Sequence, residues 1–375
     1  MDFSDDAEAA LFRTQLREWL DANQPREPEP INGLRRARFW ADWHAALHAG
    51  GWMGLSWPEE FGGRNLPATF EALLNDEVGR AGAPPVPHVG FLGRAILHYG
   101  TEVQKQRYLP GLLSGAEVWC QGFSEPNAGS DLANLSTSAV RSGDNFIVTG
   151  QKIWTSDAAW ADWCLLLVRT DTEAPKHSGM SMLIVDMRSS GIDVRPITQS
   201  NGDSEFNEVF FTEVQVPCDA VVGALGDGWR IAMTTVGYER GPADVGFSSR
   251  YARLMGKLVD DFRGTDPSPA DRVLLARSHV AVEVLRSHVL RSLTARNDAE
   301  GPGPEGSIDK LLSTLVEQRL HHAAMDLHGA AAMTGASPKI QADYFYSRAA
   351  SIAGGTAQIQ RTIVAEQLLD LPRWR

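Results

Sequence analysis

Phe123-Ser124-Glu125-Pro126-Asn127-Ala128-Gly129-Ser130-Asp131-Leu132 is the most specific stretch in the middle of this 375-residue chain. It sits inside a change of texture. From Glu117 to Val216, short β-rich runs such as Phe146–Thr149, Cys164–Arg169, Met182–Val185 and Val209–Thr212 alternate with Gly, Asn, Asp and Pro. That spacing predicts a small all-β unit, a barrel or sandwich.

On both sides the pattern is helical. Asp5 to Leu20 carries apolar residues at Ala9, Phe12, Leu16, Trp19 and Leu20, a helix-period stripe followed by Pro25. A second amphipathic run, Phe39 to Ala49, stops at Gly50-Gly51, and Ser56-Trp57-Pro58-Glu59-Glu60-Phe61-Gly62-Gly63 is turn chemistry. Further helices are predicted over Thr69–Ala81 and Glu102–Leu113. After Pro217 and the glycines from Gly223 to Gly228, long helical patterns return over Trp229–Phe262, Ala270–Arg296, Lys310–Leu327 and Gln358–Leu369, with a Gly/Pro-rich joint from Gly301 to Gly306. The reading is an α+β multidomain chain. Its expected parts are an N-terminal helical domain (1–116), a middle β domain (117–222) and a C-terminal helical bundle (223–375).

Composition bounds the function. Hydrophobic residues at 43% and charged residues at 22% describe a globular protein with substantial cores. The apolar run Cys164 to Val168 is far too short to span a bilayer, and none in the chain is much longer. A net charge of -12 argues against nucleic acid or anionic membrane as the main partner. Cys120, Cys164 and Cys218 are odd in number and widely spaced, which suggests neither a disulfide framework nor a thiolate metal site. The acidic start, Met1-Asp2-Phe3-Ser4-Asp5-Asp6, lacks the layout of a secretion signal, so a cytoplasmic location is expected.

Four segments, in order, resemble the acyl-CoA dehydrogenase family. Phe123 to Leu132 is similar to its Thr-Glu-Pro-Gly-Ala-Gly-Ser-Asp signature, and Gln151-Lys152-Ile153-Trp154-Thr155-Ser156 to its Lys-x-Trp-Ile-Thr segment. Trp57 to Gly63 and Ile352 to Gln360 complete the set. The resemblance implies the acyl-CoA dehydrogenase fold, with a middle β-barrel, a C-terminal four-helix bundle and FAD held between subunits of a tetramer. It further implies that Ser124 and Ser156 hydrogen-bond the isoalloxazine, with Phe123, Gly129 and Ser130 in the same motif and Trp154 packed beside the ring. Thr356 and Gln358 would contact the FAD. No Gly-x-Gly-x-x-Gly follows a strand, which disfavours a Rossmann site. Taken alone, Trp154 reads equally as a core aromatic.

The chemistry of a thioester explains these residue types. Its Cα–H is a weak acid, so a carboxylate must be aimed at it while the carbonyl receives hydrogen bonds. In the family's commonest C-terminal motif a glutamate precedes Gly-Thr, yet here Ser351-Ile352-Ala353-Gly354-Gly355-Thr356 has Gly354 at that place. A second candidate lies in Gly237-Tyr238-Glu239-Arg240-Gly241-Pro242. Isovaleryl- and long-chain-type members carry their base at such a Glu-Arg pair. A subgroup degrading steroids and other bulky acyl groups combines it with Gly-Gly-Thr, as this chain does. Alone, Glu239 reads as a solvated helix carboxylate; the paired substitution makes it the candidate base. Gly354 would still serve through its backbone N–H, which receives the thioester carbonyl in the family. Pro242 is expected to bend the helix just past Glu239. Arg240 is expected to be an ion-pair partner.

Two departures bear on assembly. The family's Arg-x-x-Phe-Gly is missing near Arg250 to Gly264, and its Gly-Gly-x-Gly-Tyr appears as His328-Gly329-Ala330-Ala331-Ala332-Met333. Both belong to the half-site that one subunit donates to another's FAD. An α2β2 tetramer with a related chain is therefore expected. The expected reaction is FAD-dependent dehydrogenation of an acyl-CoA or acyl-carrier thioester to the 2,3-enoyl product, with electrons passing to an electron-transferring flavoprotein. Two alternatives stay open: a non-catalytic partner subunit, and a flavin monooxygenase or oxidase on the same scaffold. His44 and His48 have zinc-helix spacing but no third ligand, and no Gly-x-Ser-x-Gly elbow supports a serine hydrolase.

Overall fold

In a computed structural model the described residues are 6–30, 33–87, 89–239, 242–297 and 303–373. The helical, β, helical order of the sequence holds. The first part supplies α1 (Ala7–Asn23), α2 (Gly33–Ala49), α3 (Thr69–Ala81), α4 (Val89–Tyr99) and α5 (Glu102–Ser114). Next come β1 (Trp119–Gly122), β2 (Ser138–Ser142), β3 (Asn145–Ser156), β4 (Trp163–Arg169), β5 (Met180–Asp186), β6 (Ile192–Pro196), β7 (Phe206–Pro217) and β8 (Val221–Val222). The last part holds α6 (Gly228–Glu239), α7 (Pro242–Asp261), α8 (Pro269–Asn297), α9 (Gly306–His328), α10 (Ala330–Met333), α11 (Pro338–Tyr346) and α12 (Ala357–Ile363). The chain thus has an N-terminal helical, a middle β and a C-terminal helical part. Its contacts gather into two compact units: Met1–Pro28, Leu66–Val86 and Arg240–Arg375 form one, and Glu29–Asn65 with Pro87–Glu239 the other.

The second unit is built on one eight-stranded sheet, ordered β6-β7-β3-β2-β4-β5-β8, with β1 parallel to β4. β3 and β7 are long and antiparallel, and both alternate buried with exposed positions. Such alternation is expected where one face packs inward. β4 and β5 are instead buried over nearly their whole length, because elements cover both faces. Val148, Leu166, Val168, Leu183, Val209 and Phe211 are central to the resulting core.

Four helices of this unit frame the region. α6 packs on α4 and on β5, and α4 reaches β1. Trp57, buried in the turn after α2, is enclosed by α4 at Gly93, where an added Cβ would lie 2.0 Å from Trp57 Cη2. His44 is buried too, its Nε2 2.9 Å from Leu113 O, which ties α2 to α5.

The first unit is helical. α7, α8 and α9 bury Tyr251, Met255 and Leu258, then Val282, Leu285 and Val289, then Val316, Leu320 and Ala324. Each set falls on one helix face by three- and four-residue steps. α1 meets α3 through an ion network. Arg13 bridges Asp76 and Glu77 at 2.7 Å each, and Arg17 grips both Glu77 oxygens. Burial works against both carboxylates, but Arg80, Ser249 and Arg13 at Asp76, and Arg17 and Arg13 at Glu77, outweigh it and hold both pKa values below the ordinary range.

Candidate active site

In the second unit the expected flavin face is built by one loop and one strand. β1 ends at Gly122, and the chain turns through Phe123 and Ser124 into a tight loop in which Glu125 and Ala128 exchange both backbone hydrogen bonds. Phe123 is buried and Ser124 half-buried, while Gly129 and Ser130 are exposed. The Ile153 N–H donates to Ser124 O at 2.9 Å, so the two motifs are joined directly.

A buried ion pair locks that junction. Lys152 Nζ donates to Glu125 Oε1 at 2.8 Å and to Phe123 O at 3.0 Å. Glu125 also receives the backbone N–H groups of Ser136 and Thr137 and the Ser136 hydroxyl. Burial alone would raise the Glu125 pKa; the Lys152 charge and these hydrogen bonds outweigh it and bring it to about 2. Burial lowers Lys152 to about 8 against the pull of Glu125. The two shifts have opposite meanings for stability, and the carboxylate's four donors make the lowered Glu125 value the more securely caused. Neither residue received a role from the sequence, although a signal was there. Phe146 and Val148 are inward positions of β3, and the same period of two puts Lys152 inward, where a charge needs a partner.

Trp154 occupies a backbone position that tryptophan seldom takes. The β3–β7 register shifts between Lys152 and Thr155, leaving one extra residue on β3. Trp154 sits in this bulge at φ 60°, and its side chain is 56% exposed, edge-on to Phe206 with ring centroids 6.2 Å apart. Left-handed backbone in a bulky residue costs about 1–2 kcal/mol. A strained backbone of this kind, at a residue whose aromatic side chain stays exposed, clusters at functional sites. Ser156 ends the same strand, half-buried and paired with Phe206.

α6 carries the candidate base position. Ile231 and Thr235 are fully buried, and position 239 is the next in their four-residue row. Glu239 is the last described residue of α6, and its side chain lies outside the described residues, as does Arg240. The helix expected over Trp229–Phe262 is described as α6 and α7; residues 240 and 241, and with them the bend expected at Pro242, lie outside the described residues.

The C-terminal motif belongs to the first unit. Gly354 and Gly355 have φ of 64° and 97°, a consecutive left-handed pair that glycine adopts without steric cost. Thr356 caps α12, its Oγ1 accepting from the Ile359 N–H, and Gln358 is exposed on the first turn. Gln360 is fully buried and donates to both Gly354 O and Gly355 O. Gln318 of α9 donates to Ser347 O and Ser351 Oγ, holding the approach to the motif. Neither glutamine was singled out in the sequence. The two departures map to the same unit: Arg250 donates to Ala83 O, and His328 ends α9 near Asp261. Among the described residues no group of His, Cys, Asp and Glu has metal-binding geometry, and no helix is long and apolar enough to cross a membrane.

The architecture is that of a three-part dehydrogenase. Models of the acyl-CoA dehydrogenase N-terminal, middle and C-terminal domains match residues 6–116, 120–214 and 226–369, so the chain belongs to the acyl-CoA dehydrogenase family. It is 40% identical to acyl-CoA dehydrogenase IpdE1 of Mycolicibacterium smegmatis over 98% of both chains. Among solved structures, the Tcur3481-Tcur3483 steroid ACAD superposes with a TM-score of 0.88 at 31% identity, covering all of both chains. The ChsE4-ChsE5 complex of Mycobacterium tuberculosis gives 0.85 at 29% identity, again over all of both.

Proposed function

We propose that this chain dehydrogenates a bulky acyl-CoA thioester at its α,β bond, with FAD as cofactor and Glu239 as base. The observation that carries the reading is residue 354: a left-handed glycine stands where the family's commonest motif has its glutamate, so the carboxylate must come from elsewhere. Glu239, in line with the buried row of α6, is the candidate. Likeness to the Tcur3481-Tcur3483 steroid ACAD favours a bulky acyl group.

The residues fit the cofactor. Phe123, Ser124, Gly129, Ser130, Trp154 and Ser156 would hold the isoalloxazine, and Thr356 and Gln358 would contact the rest of the FAD. Bound there, the flavin supplies a hydride acceptor for the β-carbon. Glu239 takes the α-proton as the Cα–H bond breaks. The Gly354 N–H receives the thioester carbonyl, where negative charge develops. The absent side chain at 354 leaves room for a branched or polycyclic acyl group. Electron-transferring flavoprotein is the proposed electron acceptor. An α2β2 assembly with a related chain follows from the altered donor segments and from likeness to a two-chain complex.

Anaerobic addition of acyl-CoA thioesters to the FAD-loaded protein should bleach the oxidised-flavin band and yield the 2,3-enoyl thioester. Bound FAD that no thioester bleaches would overturn the dehydrogenase reading.

A further inference from the structure

One face of α4 carries Gly90, Arg94 and His98 at four-residue steps. An added Cβ at Gly90 would meet nothing within 4 Å, so this face is open at its start. The half-buried Arg94 donates to Ser56 Oγ, in the turn after α2, and its guanidinium sits 5.4 Å from the Tyr238 ring centroid. Tyr238 belongs to α6. Its Oη is 3.0 Å from His98 Nε2, and the two rings stack 5.5 Å apart and 13° from parallel. Among the described residues Arg94 has no carboxylate in ion-pair contact; the Ser56 hydroxyl and the Tyr238 ring are its partners.

A guanidinium is always charged and carries five N–H donors, and one bond to a hydroxyl satisfies few of them. His98 adds no anion. It is exposed by area, yet desolvation by its packed neighbours, then the charges of Arg94 and Lys105, lower its pKa and leave it neutral at pH 7. A neutral imidazole and a phenol that share one hydrogen bond keep one further donor between them, either the His98 Nδ1–H or the Tyr238 O–H. The cluster is a fixed positive charge beside a neutral donor, the set that a carboxylate takes.

We propose that Arg94, anchored by Ser56 and flanked by His98 and Tyr238, binds a carboxylate on the acyl group, so that the substrate is the CoA monothioester of a bulky dicarboxylic acid. The inference deepens the dehydrogenase reading, with Glu239 as base, and rests on it. Consecutive Cα atoms lie about 3.8 Å apart, so the backbone of position 239 adjoins Tyr238 whichever way its side chain points. With the base there, the cluster borders the acyl end of the substrate, and the pantetheine arm keeps the CoA phosphates far from it. A wholly apolar acyl group would leave this charge facing hydrocarbon, which is costly.

The test uses the FAD-loaded assembly and matched pairs of CoA thioesters: adipyl beside hexanoyl, suberyl beside octanoyl, and (carboxycyclohexyl)propanoyl beside (methylcyclohexyl)propanoyl. Within each pair, kcat/KM for flavin reduction is compared. Kd for the corresponding S-alkyl-CoA thioethers, which cannot react, is compared by calorimetry. In at least one pair wild type should favour the carboxyl-ended member roughly 10-fold or more, and Arg94→Met should lower that preference roughly 10- to 100-fold in both readouts. Arg94→Lys, which keeps the charge but not the fork, should lower it less. Should Arg94→Met not fold, the wild-type preference and Arg94→Lys decide. Wild type that favours the carboxyl-ended member of no pair would overturn the proposal. So would an Arg94→Met variant that loses both members of a pair equally, which would assign the cation to the CoA phosphates or to residue 239. Bleaching without preference removes the carboxylate site alone; FAD-loaded wild type that no thioester bleaches sinks the dehydrogenase reading and this inference with it.

Discussion

Lys152 Nζ lies 2.8 Å from Glu125 Oε1, with the side chains 0% and 5% exposed. The pair joins the two sequence motifs of the proposed flavin face, and it explains why both carry a charge in an otherwise apolar setting.

Removing one partner of such a pair leaves a buried charge. Lys152→Met should therefore cost about 3–5 kcal/mol, read by chemical denaturation, and should loosen FAD more than a surface lysine change does. An unchanged denaturation midpoint would contradict the role given to this pair.

The same pair sets an acid limit. Glu125 falls from its ordinary 4.5 to about 2 in the folded chain. A carboxylate whose folded pKa is the lower one contributes stability that is complete above the unfolded value and lost as pH falls through the folded one. The contribution is about 3 kcal/mol, lost between roughly pH 4.5 and 2. In Glu125→Gln, denaturation followed against pH should lose this component of the slope over that window; an unaltered profile would contradict the assignment.

Trp154 should separate stability from function. Trp154→Gly releases a left-handed strain of about 1–2 kcal/mol and loses little burial, since the ring is largely exposed. The FAD-free variant should melt at or above the wild-type temperature, while the FAD retained on purification should fall. Lower stability with full FAD retention would reverse the argument.

Gly93 tests the packing beneath the site. Alanine normally stabilises a helix relative to glycine by about 1 kcal/mol. Here its Cβ would meet the Trp57 ring at 2.0 Å, and overpacking should cost about 1–3 kcal/mol. A Gly93→Ala variant that melts higher than wild type would contradict the enclosure of Trp57.

Much of this was legible before the structure. Thr69–Ala81 matches α3, and most other predicted helices lie within a few residues of the observed ones, because apolar spacing and glycine or proline stops coincide there. α4 was missed because Gly90 and Gly93 weaken its helical signal, and packing around Trp57 supplies what propensity does not. The motif residues were readable from their types and order. The left-handed bulge at Trp154 was not, since tryptophan gives no hint of that backbone.

The most direct test of the account is rapid-mixing absorbance of Glu239→Gln beside wild type, both FAD-loaded, with the best acyl-CoA substrate. The account predicts full FAD binding and thioester binding in the variant, with flavin bleaching abolished. Bleaching at the wild-type rate would contradict it and remove Glu239 from the chemistry.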